Sequence, residues 1–149
     1  MYRHILVSSD GTRLSAKALK AGIKLAASLG ARLTTLYVIA PYVFEVYTDA
    51  LGYVPIHSDP KQYKQMTEKY AKALLAKAET QARAGGVMCT GMFVTSAQPW
   101  EGILKVARAR RCDAIVMASH GRSGLKGLLL GSETAKVLTH SKLPVLVVR

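Results

Sequence analysis

The chain has 149 residues, half of them hydrophobic and 20% charged, which suits one domain (1–149) with one real core and argues against disorder. Its 21 lysines and arginines outnumber nine acidic residues, giving a formal net charge of +12. Anionic partners are therefore favoured, without the charge saying which anion. No apolar run approaches the roughly 18–20 residues of a membrane helix, and the stretch from Ile5 to Ser9 is shorter than the apolar core of about 7–15 residues in a secretory signal. The expectation is a cytoplasmic protein with no membrane partner. Cys89 and Cys112 have neither CxxC spacing nor a nearby histidine cluster, and read as two buried free thiols.

In chain order, His4 to Ser9 is a short apolar run that ends in Asp10-Gly11, a buried strand followed by a turn. Leu14, Ala18, Ala21, Leu25 and Leu29 then recur in steps of three and four, and Gly30 closes that helix as a C-cap. Leu33 to Ile39 is a second strand, halted by Pro41. The segment from Pro41 to Pro60 has no clear period and reads as a long ordered loop or partial helix, with its tyrosines forming a lid, a dimer surface or a collapsed loop. Met66, Tyr70, Leu74 and Ala78 mark a long helix ending at Gly85-Gly86. Val87 to Thr95 is a third strand, and Pro99 opens a helix with Ile103, Leu104 and Ala107 on its buried side. Asp113 to Ala118 is a fourth strand, followed by a glycine-rich loop from His120 to Gly131. Ser132 is placed to cap a helix running to about His140, and Pro144 to Val148 is the last strand.

Strands that alternate with helices, and are apolar on both faces, predict a parallel sheet covered by helices on each side. Ligands of such sheets bind beyond the carboxyl ends of the strands, where the strand order reverses. Two segments there carry polar chemistry: Ser8-Ser9-Asp10 after strand one, and Ala118 to Ser132 after strand four. Gly121, Gly124, Gly127 and Gly131 allow a backbone to approach an anion, and Arg122 and Lys126 add positive charge. The amides that open the following helix favour a negative ligand. By spacing alone, a phosphate seat and an ordinary flexible turn with a serine cap both fit. Neither GxxxxGK[ST] nor a GxGxxG after strand one is present.

The segment Ala118-x2-Gly121-x9-Gly131-Ser132 resembles the nucleotide loop of the universal stress protein family, whose pattern is G-x2-G-x9-G-[S/T], with Ala118 in place of the first glycine. Ser9-Asp10-Gly11, the strand from Asp113 and the closing Pro144 to Val148 are similar to that family's first and last two strands. The resemblance spans nearly the whole chain. It implies an α/β fold, Rossmann-like and adenine nucleotide α-hydrolase-like. This is an open five-stranded parallel sheet of order 3-2-1-4-5, with ATP (with or without magnesium) held between strands one and four. Carried over by position, Asp10 sits near the ribose and adenine with Ser9 beside it, and Val38 borders the adenine. Gly121, Gly131, Ser132 and the Glu133 amide hold phosphate, the Glu133 carboxylate pointing away. Met117, Ala118, His120 and Arg122 complete the nucleotide-binding set. The resemblance also implies a homodimer.

His120 is the best acid–base candidate, but the sequence offers it no triad, with Ser119 predicted to point elsewhere; a structural or ligand-contact role is favoured over catalysis. Trp100 reads as helix packing. If Val145 to Val148 is an edge strand, pairing with its copy in a second chain would cover it. The reading is an ATP-binding stress-response or regulatory module with little or no turnover. Against it stand a slow ATPase relying on Asp10 or His120, and a partner-binding protein without nucleotide. Nucleic acid is not the favoured partner, because no basic stretch in the sequence is interleaved with exposed aromatics. A phospho-receiver domain is set aside, since Val94-Thr95-Ser96 offers no acid at the end of strand three.

Overall fold

The computed structural model describes residues 1–43, 59–120 and 130–149, and the backbone of 46–49 and 52–55. The elements in chain order are β1 (His4–Ser8), α1 (Arg13–Leu29), β2 (Arg32–Ile39), β3 (Val46–Asp49), β4 (Gly52–Pro55) and α2 (Pro60–Ala84). β5 (Cys89–Thr95), α3 (Pro99–Ala109), β6 (Ala114–Ala118), α4 (Ser132–His140) and β7 (Val145–Val148) follow. One sheet has the order β5-β2-β1-β6-β7, and every pairing in it is parallel. Counted without the separate β3–β4 hairpin, this is the order 3-2-1-4-5.

β1 and β6 are central, and their side chains are apolar whichever way they point. Leu6 and Ile115 face one side and Ile5, Val7 and Val116 the other, all fully buried. This two-sided apolarity requires a helical layer on each face. α1 and α2 cover one, packing Leu19, Ile23, Ala78 and Ala82 against Ile5, Val7 and Leu33. α3 and α4 cover the other, where Ile103, Val106 and Val137 meet Leu6, Leu36 and Ile115.

α1 starts and stops by local chemistry. The Thr12 hydroxyl accepts from the Ser15 amide at the N-terminus, and Gly30 takes the left-handed conformation (φ 63°) at the C-terminus. At the amino ends of the strands, the Asp113 carboxylate accepts from the Arg3 and His4 amides at 2.8 and 3.1 Å, pinning the start of β1 beside β6. Cys112 is buried and Cys89 half-buried, both as free thiols, and burial pushes each up to about 11.

Two local expectations change. Where a loop or partial helix was expected between Pro41 and Pro60, the backbone forms the antiparallel hairpin β3–β4, with Tyr47 opposite Val54 and Thr48 opposite Tyr53. Val, Tyr and Thr at these positions suit extended backbone. Residues 44–45, 50–51 and 56–58 lie outside the described residues, as do the side chains of the hairpin, so the reading of its tyrosines as a lid or a dimer surface does too. Second, Ser132 does not cap α4. Gly131 occupies the cap position and Ser132 is the first helical residue.

Candidate functional site

The strand order reverses between β1 and β6: from β1 the chain crosses to β2 on one side, and β6 adds on the other. At this point, beyond the carboxyl ends of the strands, lies a cavity of about 800 Å³. That size is within the usual range for small-molecule sites, about 300–1,000 Å³.

On the β1 side stand Ser9 and Asp10. Asp10 Oδ1 accepts from the Thr12 amide (3.0 Å) and the Thr12 hydroxyl (2.6 Å), while that hydroxyl accepts from the Ser15 amide at 3.1 Å. The chain Asp10–Thr12–Ser15 thus ties the carboxylate to the first turn of α1. Among the described residues Oδ2 takes no donor. Ser9 is buried; its hydroxyl donates to Ser15 Oγ at 3.4 Å, because the Ser15 proton is already given to the Thr12 carbonyl.

On the β6 side, Met117 and Ala118 line the cavity and lead to His120. The expectation that Ser119 points away from His120 is corrected: Ser119 Oγ lies 3.1 Å from His120 Nδ1. Leu130, Gly131, Ser132 and Glu133 form the next wall. The Gly131 amide donates to the Ser119 carbonyl at 2.7 Å, and Thr134 Oγ1 donates to the Ala118 carbonyl at 2.9 Å. These two bonds seat the N-terminus of α4 directly against the end of β6. A Cβ on Gly131 would come within 2.9 Å of His120 Cα and 3.1 Å of the Ser119 carbonyl oxygen, so only glycine allows this approach. First-turn amides of a helix have no carbonyl of their own helix to bind, and the helix dipole adds to their positive character.

The Glu133 carboxylate is engaged elsewhere. Oε2 accepts from the Trp100 amide at 2.9 Å, in the first turn of α3, and Oε1 accepts from Lys136 at 3.2 Å. It therefore compensates α3, whose N-cap residue Gln98 makes no side-chain capping bond. Trp100 itself packs on the α3–α4 side of the core and stacks on His140 at 4.6 Å.

Part of the cavity lining is apolar. Val38 borders it together with Ala40, Pro99 and Ile103. Tyr63 and Thr67 on α2 close it, and the Tyr63 hydroxyl donates to the Ala40 carbonyl at 2.8 Å.

Of the residues expected at a nucleotide site, Ser9, Asp10, Val38, Met117, Ala118, His120, Gly131, Ser132 and Glu133 line this one cavity. Gly121 and Arg122 lie outside the described residues. The wall from Tyr63, Thr67, Pro99 and Ile103 was not anticipated. Pro99 at a helix start, directly after the strand that flanks β2, was the only sequence signal for part of it. Among the described residues no cluster of three histidine, cysteine or acidic side chains could hold a metal ion. No helix among them is long and apolar enough to cross a membrane.

The comparisons agree with this geometry. The chain is 36% identical to the Bacillus subtilis universal stress protein YxiE, with all of both chains covered. MJ0577 of Methanocaldococcus jannaschii superposes with a TM-score of 0.78 at 28% identity, over 99% of this chain and 96% of that one. A universal stress protein solved in complex with cAMP superposes with a TM-score of 0.74 at 24% identity, over 99% and 96%. The profile of the Universal stress protein family matches residues 1–149. By sequence along its whole length, and by the order of its strands, the chain belongs to the universal stress protein family.

Proposed function

We propose that residues 1–149 act as one universal stress protein domain, a cytoplasmic ATP-binding stress-response or regulatory module with little or no turnover. One observation carries the reading: the Asp10 carboxylate and the N-terminus of α4 face one cavity at the reversal point of the sheet. The fit is chemical. The apolar lining around Val38 suits a flat base, and Asp10 Oδ2 is an acceptor for ribose hydroxyls. The amides of Ser132 and Glu133 suit phosphate oxygens. Because the Glu133 carboxylate is turned to Trp100 and Lys136, its charge does not oppose an anion on its own amide. Ala118, where the family pattern has glycine, lies in β6, where an L-residue is at ease. The cAMP complex of a protein with this fold gives the ligand class a precedent in that protein. Magnesium would arrive with the triphosphate.

Calorimetric titration with ATP and magnesium tests this, with saturable binding expected below millimolar concentration. Gly131→Val should weaken it at least about tenfold, because the side chain would push α4 off the Ser119 carbonyl. An unchanged affinity in that variant would remove the phosphate seat. The Ser119–His120 pair gives specific support to a second reading, slow hydrolysis with His120 or Asp10 handling the proton. Phosphate release lost in the His120→Gln and Asp10→Asn variants would support it, and release surviving both would exclude it.

We further propose a homodimer through β7. It is one of the two edge strands of the sheet, and Leu146 on it is 46% exposed.

A further inference from the structure

The fold gathers onto one face the positive charge that the sequence spreads over many positions. α1 and α2 lie side by side on the same side of the sheet. On α1, Arg13, Lys17, Lys20 and Lys24 are all exposed, and the helix holds no acidic residue. On α2, Lys61, Lys64, Lys69, Lys72, Lys77 and Arg83 are exposed, against Glu68 and Glu79. Glu68 lies 4.0 Å from Lys64, and Glu79 is turned inward to accept from the Gly91 amide at 2.6 Å. The opposite face is less positive: α3 and α4 carry Lys105, Arg108 and Lys136 against Glu101 and Glu133, with Arg110, Arg111 and Lys142 exposed just beyond their C-termini.

On α1 this placement opposes what the helix itself prefers. Arg13 with Lys17, and Lys20 with Lys24, are like charges one turn apart, which repel. α1 begins with Arg13 and has no acid in its first turn, where the dipole favours one, whereas α2 is capped by Asp59. On α1 local stability would select the reverse pattern, so its cations answer to something outside the chain.

The shape narrows what that is. At 1.5 Å per residue, the cations span about 16 Å along α1 and about 33 Å along α2. A single small anion needs no such length, whereas a phosphate backbone offers charge continuously over it. Beside the cations stand small exposed residues, Ala16 and Ala27 on α1 and Ala73 and Ala76 on α2, which let a rod come close. A membrane-binding face would instead present large apolar side chains beside its lysines. Here only Met66 and Tyr70 on α2 do so, and no large hydrophobic residue of α1 is exposed.

We propose that the α1–α2 face docks on the phosphate backbone of a nucleic-acid duplex, without reading its sequence. This surface is separate from the nucleotide cavity, and its occupancy does not depend on the reading of that cavity.

Fluorescence anisotropy of the full chain with a labelled DNA duplex of about two turns tests it. With four to six phosphates neutralised, the logarithm of the affinity should fall with the logarithm of salt at a slope of about −4 to −5. The triple variant Lys17→Glu, Lys20→Glu, Lys24→Glu should lose at least about tenfold in affinity, and the double variant Lys105→Glu, Arg108→Glu on α3 less than about threefold. Circular dichroism checks that each variant is folded, and glutamine at the same three α1 positions replaces glutamate should the triple variant fail that check. Equal losses from the two faces, a slope shallower than about −2, or binding to phosphatidylserine vesicles without binding to duplex would each overturn the proposal.

Discussion

At the scale of single residues, His4 connects burial to acid sensitivity. Its ring is buried, with Nε2 2.8 Å from Thr34 Oγ1. Burial foremost, and then the positive charge of Arg32, lower its pKa below 6.5. Unfolding restores a higher affinity for the proton, so the unfolded chain binds more protons between the two pKa values. Stability from this group is therefore complete above about pH 6.5 and declines as pH falls through the folded pKa. Urea midpoints measured from pH 8 down to pH 5 should fall over the acid part of that range, and His4→Gln should flatten the fall. Asp113 acts lower on the scale. Burial opposes its charge, but the Arg3 and His4 amides outweigh that and hold its pKa below 3.8, so its contribution is present above that value and is lost only in stronger acid.

At the scale of elements, α1 packs closely on β1 at Gly22. A Cβ on Gly22 would lie 2.6 Å from Val7 Cγ2, with Val116 behind it. Gly22→Ala would gain about 1 kcal/mol of helix propensity and lose about 1–3 kcal/mol to overpacking. We expect a net destabilisation of about 1 kcal/mol and a lower urea midpoint; an unchanged or higher midpoint would mean that α1 can lift without cost. Much at this scale was legible in the sequence. The α1 stripe with Gly30 beyond it fixed that helix, because period and cap agreed. Ser132 misled because serine is the commoner cap, whereas Gly131 is set at the cap by its contact with His120, a neighbour across the loop. The β3–β4 hairpin was missed because its two strands are four residues each, too short for a period to show.

At the scale of the molecule, β1 and β6 were readable as buried strands, and the family resemblance implied their adjacency, so both main walls of the cavity could be named in advance. The α2 wall could not. Tyr63 and Thr67 reach the cavity only because α2 lies over β2, and the irregular stretch before α2 hides where the helix begins relative to that strand. The exposed edge makes a prediction at this scale too. If β7 pairs with its copy, light scattering should give twice the 16.1 kDa chain mass, and Leu146→Lys should shift it toward the single-chain mass. A single-chain mass for the unaltered protein at micromolar concentration would contradict the dimer.

The bond from the Trp100 amide to Glu133 equips the protein with its own optical probe. Trp100 is the sole tryptophan of the chain, fastened through its backbone to Glu133, whose amide we propose as a phosphate donor. A ligand that tightens or loosens the start of α4 must disturb the stacked indole and His140 as well. Intrinsic emission excited at the indole band should therefore change in intensity or wavelength as ATP is added, and the same titration on Glu133→Ala should show that change uncoupled from binding.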